Sequence, residues 1–277
     1  MFKKKGILLT LLAAILMMAL VACNAPEKDS TKKATDDNPK KEEKVVKLQA
    51  LVGAGLAQPM DDLIAKYEEK TGVKIEVSYN NNAGLVGQME TTKQGDVFLP
   101  GSQRVIEKMQ KAGHIDEKVV GPFAFHTPTI LVKKGNPQNI QGIADLAKPG
   151  LTIAIPSKDA TPLGQSAFEM FEKLGITADV NKNEIITAQT GSEAVMAIMS
   201  GEVDAAISEL AAFQKNREKL DAVAIDPNLN VMHAFMGTVI SYSKQKDEAE
   251  KFLQFLEKEA PDVFKYHGYN TKGEIHK

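Results

Sequence analysis

The chain has 277 residues, a single cysteine and a formal net charge of −2. That balance offers no strongly basic surface, which disfavours nucleic acid or anionic lipid as the main partner. One cysteine excludes an internal disulfide, and the length suffices for one large core or two smaller ones.

Lys3-Lys4-Lys5 precedes an apolar stretch from Gly6 to Ala22, which ends in Leu20-Val21-Ala22-Cys23. A basic segment, an apolar segment and small residues before a processing point make an export signal, and this one is too short for a membrane span. Residues 1–22 are therefore predicted to be a lipoprotein signal peptide. Cys23 becomes the mature N-terminus and carries the lipid, palmitate included, that tethers the chain to the outer face of a membrane. Its removal takes away three lysines and no acidic residue, leaving 31 basic against 36 acidic side chains and a formal charge of −5. Residues 23–44 are rich in Asn, Pro, Lys, Asp, Ser, Thr and Glu and read as a disordered spacer.

Val45, Val46, Leu48, Ala50 and Val52 predict a strand that runs into a tight turn at Gly53-Ala54-Gly55. Met60, Leu63, Ile64 and Tyr67 recur at helical spacing, with Asp61 and Asp62 placed near the helix start and Gly72 beyond its end. A second strand is predicted over 73–79, a polar turn over 80–83, a third strand over 96–99, and a helix through Val105, Ile106 and Met109. Beyond the segment from Thr129 to Lys133, strands are expected at 151–155, 185–186 and 203–207, with helices through Ala167 to Leu174 and Ala194 to Met199. Ala249, Phe252, Leu253 and Leu256 mark a last amphipathic helix that returns to complete the first unit.

Alternating strands and helices predict an α/β fold of two lobes, each a mixed sheet flanked by helices. Lobe one is expected to take residues 45–125 and 238–277, and lobe two residues 130–232, with crossings near 125–130 and 233–238.

The sequence supplies no reactive constellation. It has no His-Glu-x-x-His, no phosphate loop ending in Gly-Lys-Ser or Gly-Lys-Thr and no Gly-x-Ser-x-Gly, and its five histidines are scattered. An enzyme is therefore not expected, and no cofactor is called for. The adjacent carboxylates Asp61-Asp62 and Glu68-Glu69 do not face one site on a helix and read as a solvated face.

Four small-polar turns remain, and all follow predicted strands: Gly53-Ala54-Gly55-Leu56, Asn80-Asn81-Asn82-Ala83, Thr161-Pro162-Leu163-Gly164 and Thr190-Gly191-Ser192-Glu193. Each also reads as an ordinary turn. Two in each unit fit a cleft that closes on a small solute beyond the strand C-terminal ends.

Along the same stretch the chain resembles the molybdate-binding and tungstate-binding receptors of bacterial ABC transporters, within the wider group of two-lobed extracellular solute-binding proteins of type II fold. The resemblance runs from about Lys47 to Tyr269. It is carried by Ala54-Gly55-Leu56, by 83–89 (Ala-Gly-Leu-Val-Gly-Gln-Met), by Gly95-Asp96-Val97-Phe98 and by 131–137 (Leu-Val-Lys-Lys-Gly-Asn-Pro). It continues through 145–150 (Asp-Leu-Ala-Lys-Pro-Gly), 201–206 (Gly-Glu-Val-Asp-Ala-Ala) and the Phe252-Leu253-Gln254-Phe255-Leu256 helix. The resemblance implies a monomeric receptor outside the cytoplasm, anchored to the cell membrane. Such a receptor captures a small oxyanion, molybdate or tungstate first, and passes it to a membrane permease with its cytoplasmic ATPase.

Carried over position by position, the resemblance implies a ligand set of Ala54, Gly55, Asn81, Asn82, Ala83, Leu163, Gly191, Ser192 and Glu209. Gly55 stands where the family places a serine, Asn82 corresponds to a second serine, Leu163 replaces an alanine, and Gly191 falls in a valine-containing loop. Glu209 takes the place of a tyrosine. An ionised carboxylate aimed at the anion would repel it, so Glu209 is expected to cap a helix start or to face solvent. Two alternatives stay open at this point: a metal ion held by His126, Glu209 and His233, or a small polar metabolite. An exported surface protein without a transport role is the remaining rival.

Overall fold

The computed structural model describes residues 45–274. Cys23, the predicted signal peptide and the whole predicted spacer lie outside the described residues.

The first lobe begins with β1 (Lys47–Gly53), a short 3-10 turn (Ala54–Leu56) and α1 (Ala57–Thr71). β2 (Lys74–Asn80), α2 (Asn82–Thr92), β3 (Val97–Leu99), α3 (Gln103–Lys111) and the twelve-residue β4 (Ile115–His126) follow. α1 turns its Met60, Leu63, Ile64 and Tyr67 face inward and stops at Gly72, whose φ of 74° is the left-handed helix ending that glycine takes most readily. Because α1 starts at Ala57, Asp61 and Asp62 sit past its first turn rather than at its start.

The second lobe is built from β5 (Pro128–Lys133), β6 (Ile153–Pro156), α4 (Pro162–Leu174), α5 (Thr177–Asn183) and β7 (Glu184–Ala188). It continues with α6 (Gly191–Ser200), β8 (Ala205–Glu209), α7 (Leu210–Asn216) and β9 (Leu220–Val223). The chain then enters β10 (His233–Ile240) and ends in α8 (Lys246–Tyr266).

Each lobe carries one five-stranded mixed sheet, ordered β2-β1-β3-β10-β4 in the first and β7-β6-β8-β5-β9 in the second. In both, four strands run in one direction and one runs against them: β10 between β3 and β4, and β5 between β8 and β9. The α/β, two-lobed expectation therefore holds. α8 lays Ala249, Phe252, Leu253 and Leu256 into the first core with Tyr67 and Phe235. Burying those four apolar faces together is what ties the end of the chain to its beginning. The second sheet is covered on one face by α4 and α5 through Met170, Phe171 and Val180, and on the other by α6 through Ala194 and Ile198.

Candidate functional site

The parallel strands β1, β2 and β6 all end at one seam, and β8 ends there too. The loops that leave them surround a cavity of about 440 Å³ lined from both lobes. The lobes touch across it: the Asn82 amide donates to Ala160 O at 3.0 Å, Asn81 Nδ2 donates to Gln189 O at 3.4 Å, and Arg104 pairs with Glu169. Of the residues expected in the site, Ala54, Gly55, Asn81, Asn82, Leu163, Gly191, Ser192 and Glu209 line this cavity. Ala83 does not, because it already lies in the exposed first turn of α2.

On the first-lobe side, Asn81 and Asn82 divide the work. Asn81 caps α2, its side-chain oxygen accepting the Gly84 amide at 2.8 Å. Asn82 is 4% exposed; its Oδ1 accepts the Gly101 amide at 3.0 Å, and its Nδ2 is buried without a partner among the described residues. A buried amide donor left over in this way costs free energy unless something accepts from it. Gly101 makes the close packing possible, since a Cβ there would lie 2.7 Å from Pro162 Cγ and 2.8 Å from His126 Nε2.

The second lobe works through backbone. Thr161 caps α4 by accepting the Gly164 amide at 2.9 Å, with Pro162 at the first helical position, and Thr190 caps α6 by accepting the Glu193 amide at 3.1 Å. The amides of Leu163, Gly191 and Ser192, in the same first turns, donate to no acceptor among the described residues. Ser208 Oγ donates to Gly191 O at 3.2 Å and so orients that loop.

Glu209 departs from its expected place. It stands at the start of α7, yet its side chain makes no capping bond and does not face solvent; at 6% exposure it is buried. One oxygen accepts the Thr127 amide at 3.2 Å, and the other meets His126 Nδ1. His126 is pushed well below its ordinary pKa by burial, with His233 opposite it acting in the same sense. Burial also lowers His233, helped by the nearby Arg104 and opposed by Glu169. Glu209 is thus held by the Thr127 amide and pressed against His126, while His126 Nδ1 and Glu209 Oε1 make no hydrogen bond among the described residues.

Among the described residues no group of three His, Cys, Asp or Glu side chains is placed to hold a metal ion, and His233 does not line the cavity.

Several lining residues gave no local sequence signal. Tyr269, its hydroxyl pushed up to about 12 by burial, reaches back from the chain's end to donate to Gly55 O. Gln58 and Lys215 meet across the mouth. Thr161-Pro162 and Thr190 with Glu193 three residues on are capping patterns, and they would have marked two helix starts aimed at the cleft.

A family model described as bacterial extracellular solute-binding protein matches residues 48–270. A putative binding protein of Haemophilus influenzae is 29% identical over 79% of this chain and 87% of its own length. The molybdate-binding protein ModA of Azotobacter vinelandii is 22% identical over 81% of this chain and 90% of its own. Among solved structures, PEB3, a Campylobacter jejuni protein, was determined bound to L-phospholactate. It superposes with a TM-score of 0.64 at 25% identity, covering 80% of this chain and 99% of that one.

Proposed function

The chain belongs to the bacterial extracellular solute-binding proteins, a non-catalytic transport class, and from that premise we propose that the solute it captures for its ABC transporter is a small oxyanion. Molybdate and tungstate are the first inorganic candidates. The observation that carries this reading is the convergence of helix starts: α1, α2, α4 and α6 all begin at the cavity. Each presents the positive end of its backbone dipole, and α4 and α6 add the first-turn amides of Leu163, Gly191 and Ser192.

Neutral donors suit a receptor that must dehydrate an anion, hold it and release it to a permease without a covalent step. Asn82 Nδ2 supplies the side-chain donor; Leu163, Gly191 and Ser192 supply backbone donors. Glu209 does not spoil the site, because its carboxylate already accepts the Thr127 amide and packs against His126. The molybdate of ModA and the L-phospholactate of PEB3 both carry a tetrahedral oxyanion, which is the shared chemistry this arrangement fits. With donors on both lobes, an anion favours the closed arrangement, and closure gives the permease a shape to recognise.

Isothermal titration with molybdate, tungstate, sulfate and phosphate tests the reading. Saturable binding of at least one is expected. Binding of a divalent cation or an uncharged metabolite, with none of the four, would overturn it. The anchor is a separate proposal: acylation of Cys23, checked by mass analysis of the mature N-terminus in the native host, where an unmodified Cys23 would end it.

A further inference from the structure

A tetrahedral oxyanion occupies on the order of 100 Å³, taking about 30 Å³ for each oxygen-sized group. The cavity is about 440 Å³, and it keeps that volume with the lobes already in contact through Asn82 and Ala160, Asn81 and Gln189, and Arg104 and Glu169. The donors that suit an oxyanion lie at its buried end, where Asn82, His126 and Ser208 are almost fully out of solvent. Elsewhere the lining changes character. Leu56, Val195 and Ala211 are buried and apolar, Met196 is apolar and exposed, and the exposed Lys215 is the one lysine or arginine in the lining.

Lys215 is also unlike the other mouth residues in its partner. Its Nζ meets the neutral Gln58 oxygen of the opposite lobe, and among the described residues no carboxylate lies within ion-pair distance of it. Partial desolvation lowers its pKa although the residue stays exposed. A floor of anion donors, an apolar middle and a cation at the far end describe a ligand with three matching parts.

We propose that the solute is a short organic anion with acidic groups at both ends, its oxyanion seated on the floor, its stem on Leu56, Val195 and Ala211, and its second acid on Lys215. The proposal rests on the oxyanion reading and names the class of molecule that carries the oxyanion. Lys215 then discriminates by charge, and Gln58 on the facing lobe supplies a neutral neighbour that does not compete with the incoming acid. A charge-assisted hydrogen bond at such a position is worth a factor of about ten or more in affinity.

The test uses probes matched in shape. The full chain is titrated calorimetrically with 3-phosphonopropionate, with propylphosphonate, which has the same head and stem but no carboxylate, and with inorganic phosphate, sulfate and molybdate. 3-Phosphonopropionate is expected to bind at least about tenfold more tightly than propylphosphonate and than each inorganic anion. Lys215→Met should bring the ratio of the two phosphonates to about one, and Lys215→Arg should restore a preference. Two results overturn the proposal while leaving the oxyanion reading intact: an inorganic anion binding as tightly as 3-phosphonopropionate, or a preference for the carboxylated probe that survives Lys215→Met. Failure of every anion to bind overturns both.

Discussion

The two lobes bring similar small-polar loops to the cleft and use them in opposite ways. In the first lobe side chains do the work: Asn82 is fixed by Gly101 and keeps an unused donor, while His126 meets Glu209 of the second lobe. In the second lobe the side chains are spent on helix caps, Thr161 on Gly164 and Thr190 on Glu193, so that backbone amides are what remains for a solute. A side-chain donor is lost by one substitution. A backbone donor survives substitution and is lost only when the helix start moves.

That contrast predicts different responses to equivalent changes. The largest is expected at the first-lobe floor, where His126→Ala leaves the buried Glu209 carboxylate with only the Thr127 amide. Leaving a buried carboxylate short of a polar neighbour costs about 1–3 kcal/mol, and more when the group is charged. Urea unfolding should show a lower midpoint with an unchanged slope. An unchanged midpoint would mean that the pair is not formed.

Asn82→Ala comes next, and its effect belongs to binding. Removing a donor to an anion costs about 1.5–3 kcal/mol, or about a tenfold to hundredfold loss of affinity for whichever anion the titration identifies. Loss of stability without loss of affinity would move Asn82 from the solute to the scaffold.

Acidification should separate the lobes again. His126 and His233, both on first-lobe strands, have folded pKa values held below the ordinary one near 6.5 by burial. As pH falls through about 6.5 the unfolded chain takes up protons first. The stabilisation is therefore complete above that pH and is lost as pH falls toward the folded values, by up to about 1.4 kcal/mol per group per pH unit. Unfolding midpoints from pH 8 to pH 5 should fall along this slope, and a flat profile would contradict the burial of neutral imidazoles.

The smallest effects are expected for Thr161→Ala and Thr190→Ala, each costing about 1 kcal/mol of stability as a lost cap. Affinity should fall less than in Asn82→Ala, because the amides of Leu163, Gly191 and Ser192 remain. A cap variant that lost affinity as steeply as Asn82→Ala would erase the distinction between the lobes.

Much of this was legible in the sequence wherever the physics is local. The spacing of Met60, Leu63, Ile64 and Tyr67 marks α1, and the small-polar turns after strands mark the four loops of the cleft. The reading failed where partners are far apart. β10 and β4 lack clean alternation, and they become strands by pairing with each other across about a hundred residues, His233 opposite His126 and Ala234 opposite Phe125. The pairing of Glu209 with His126 spans 83 positions and leaves no local mark, so a carboxylate at a helix start looked like a cap or a solvated group. Lys215 and Tyr269 enter the cleft only once α7 and the C-terminal segment are in place.

The central claim is that donors from both lobes converge on an anion, and it is tested most directly by heating the chain with one anion at a time. Melting curves in molybdate, sulfate, phosphate or 3-phosphonopropionate, each against chloride at equal ionic strength, report binding by linkage. The account predicts a raised melting temperature with at least one of these anions, and a much smaller rise in Asn82→Ala. No rise with any of them, alongside a rise with a divalent cation or an uncharged metabolite, would contradict it.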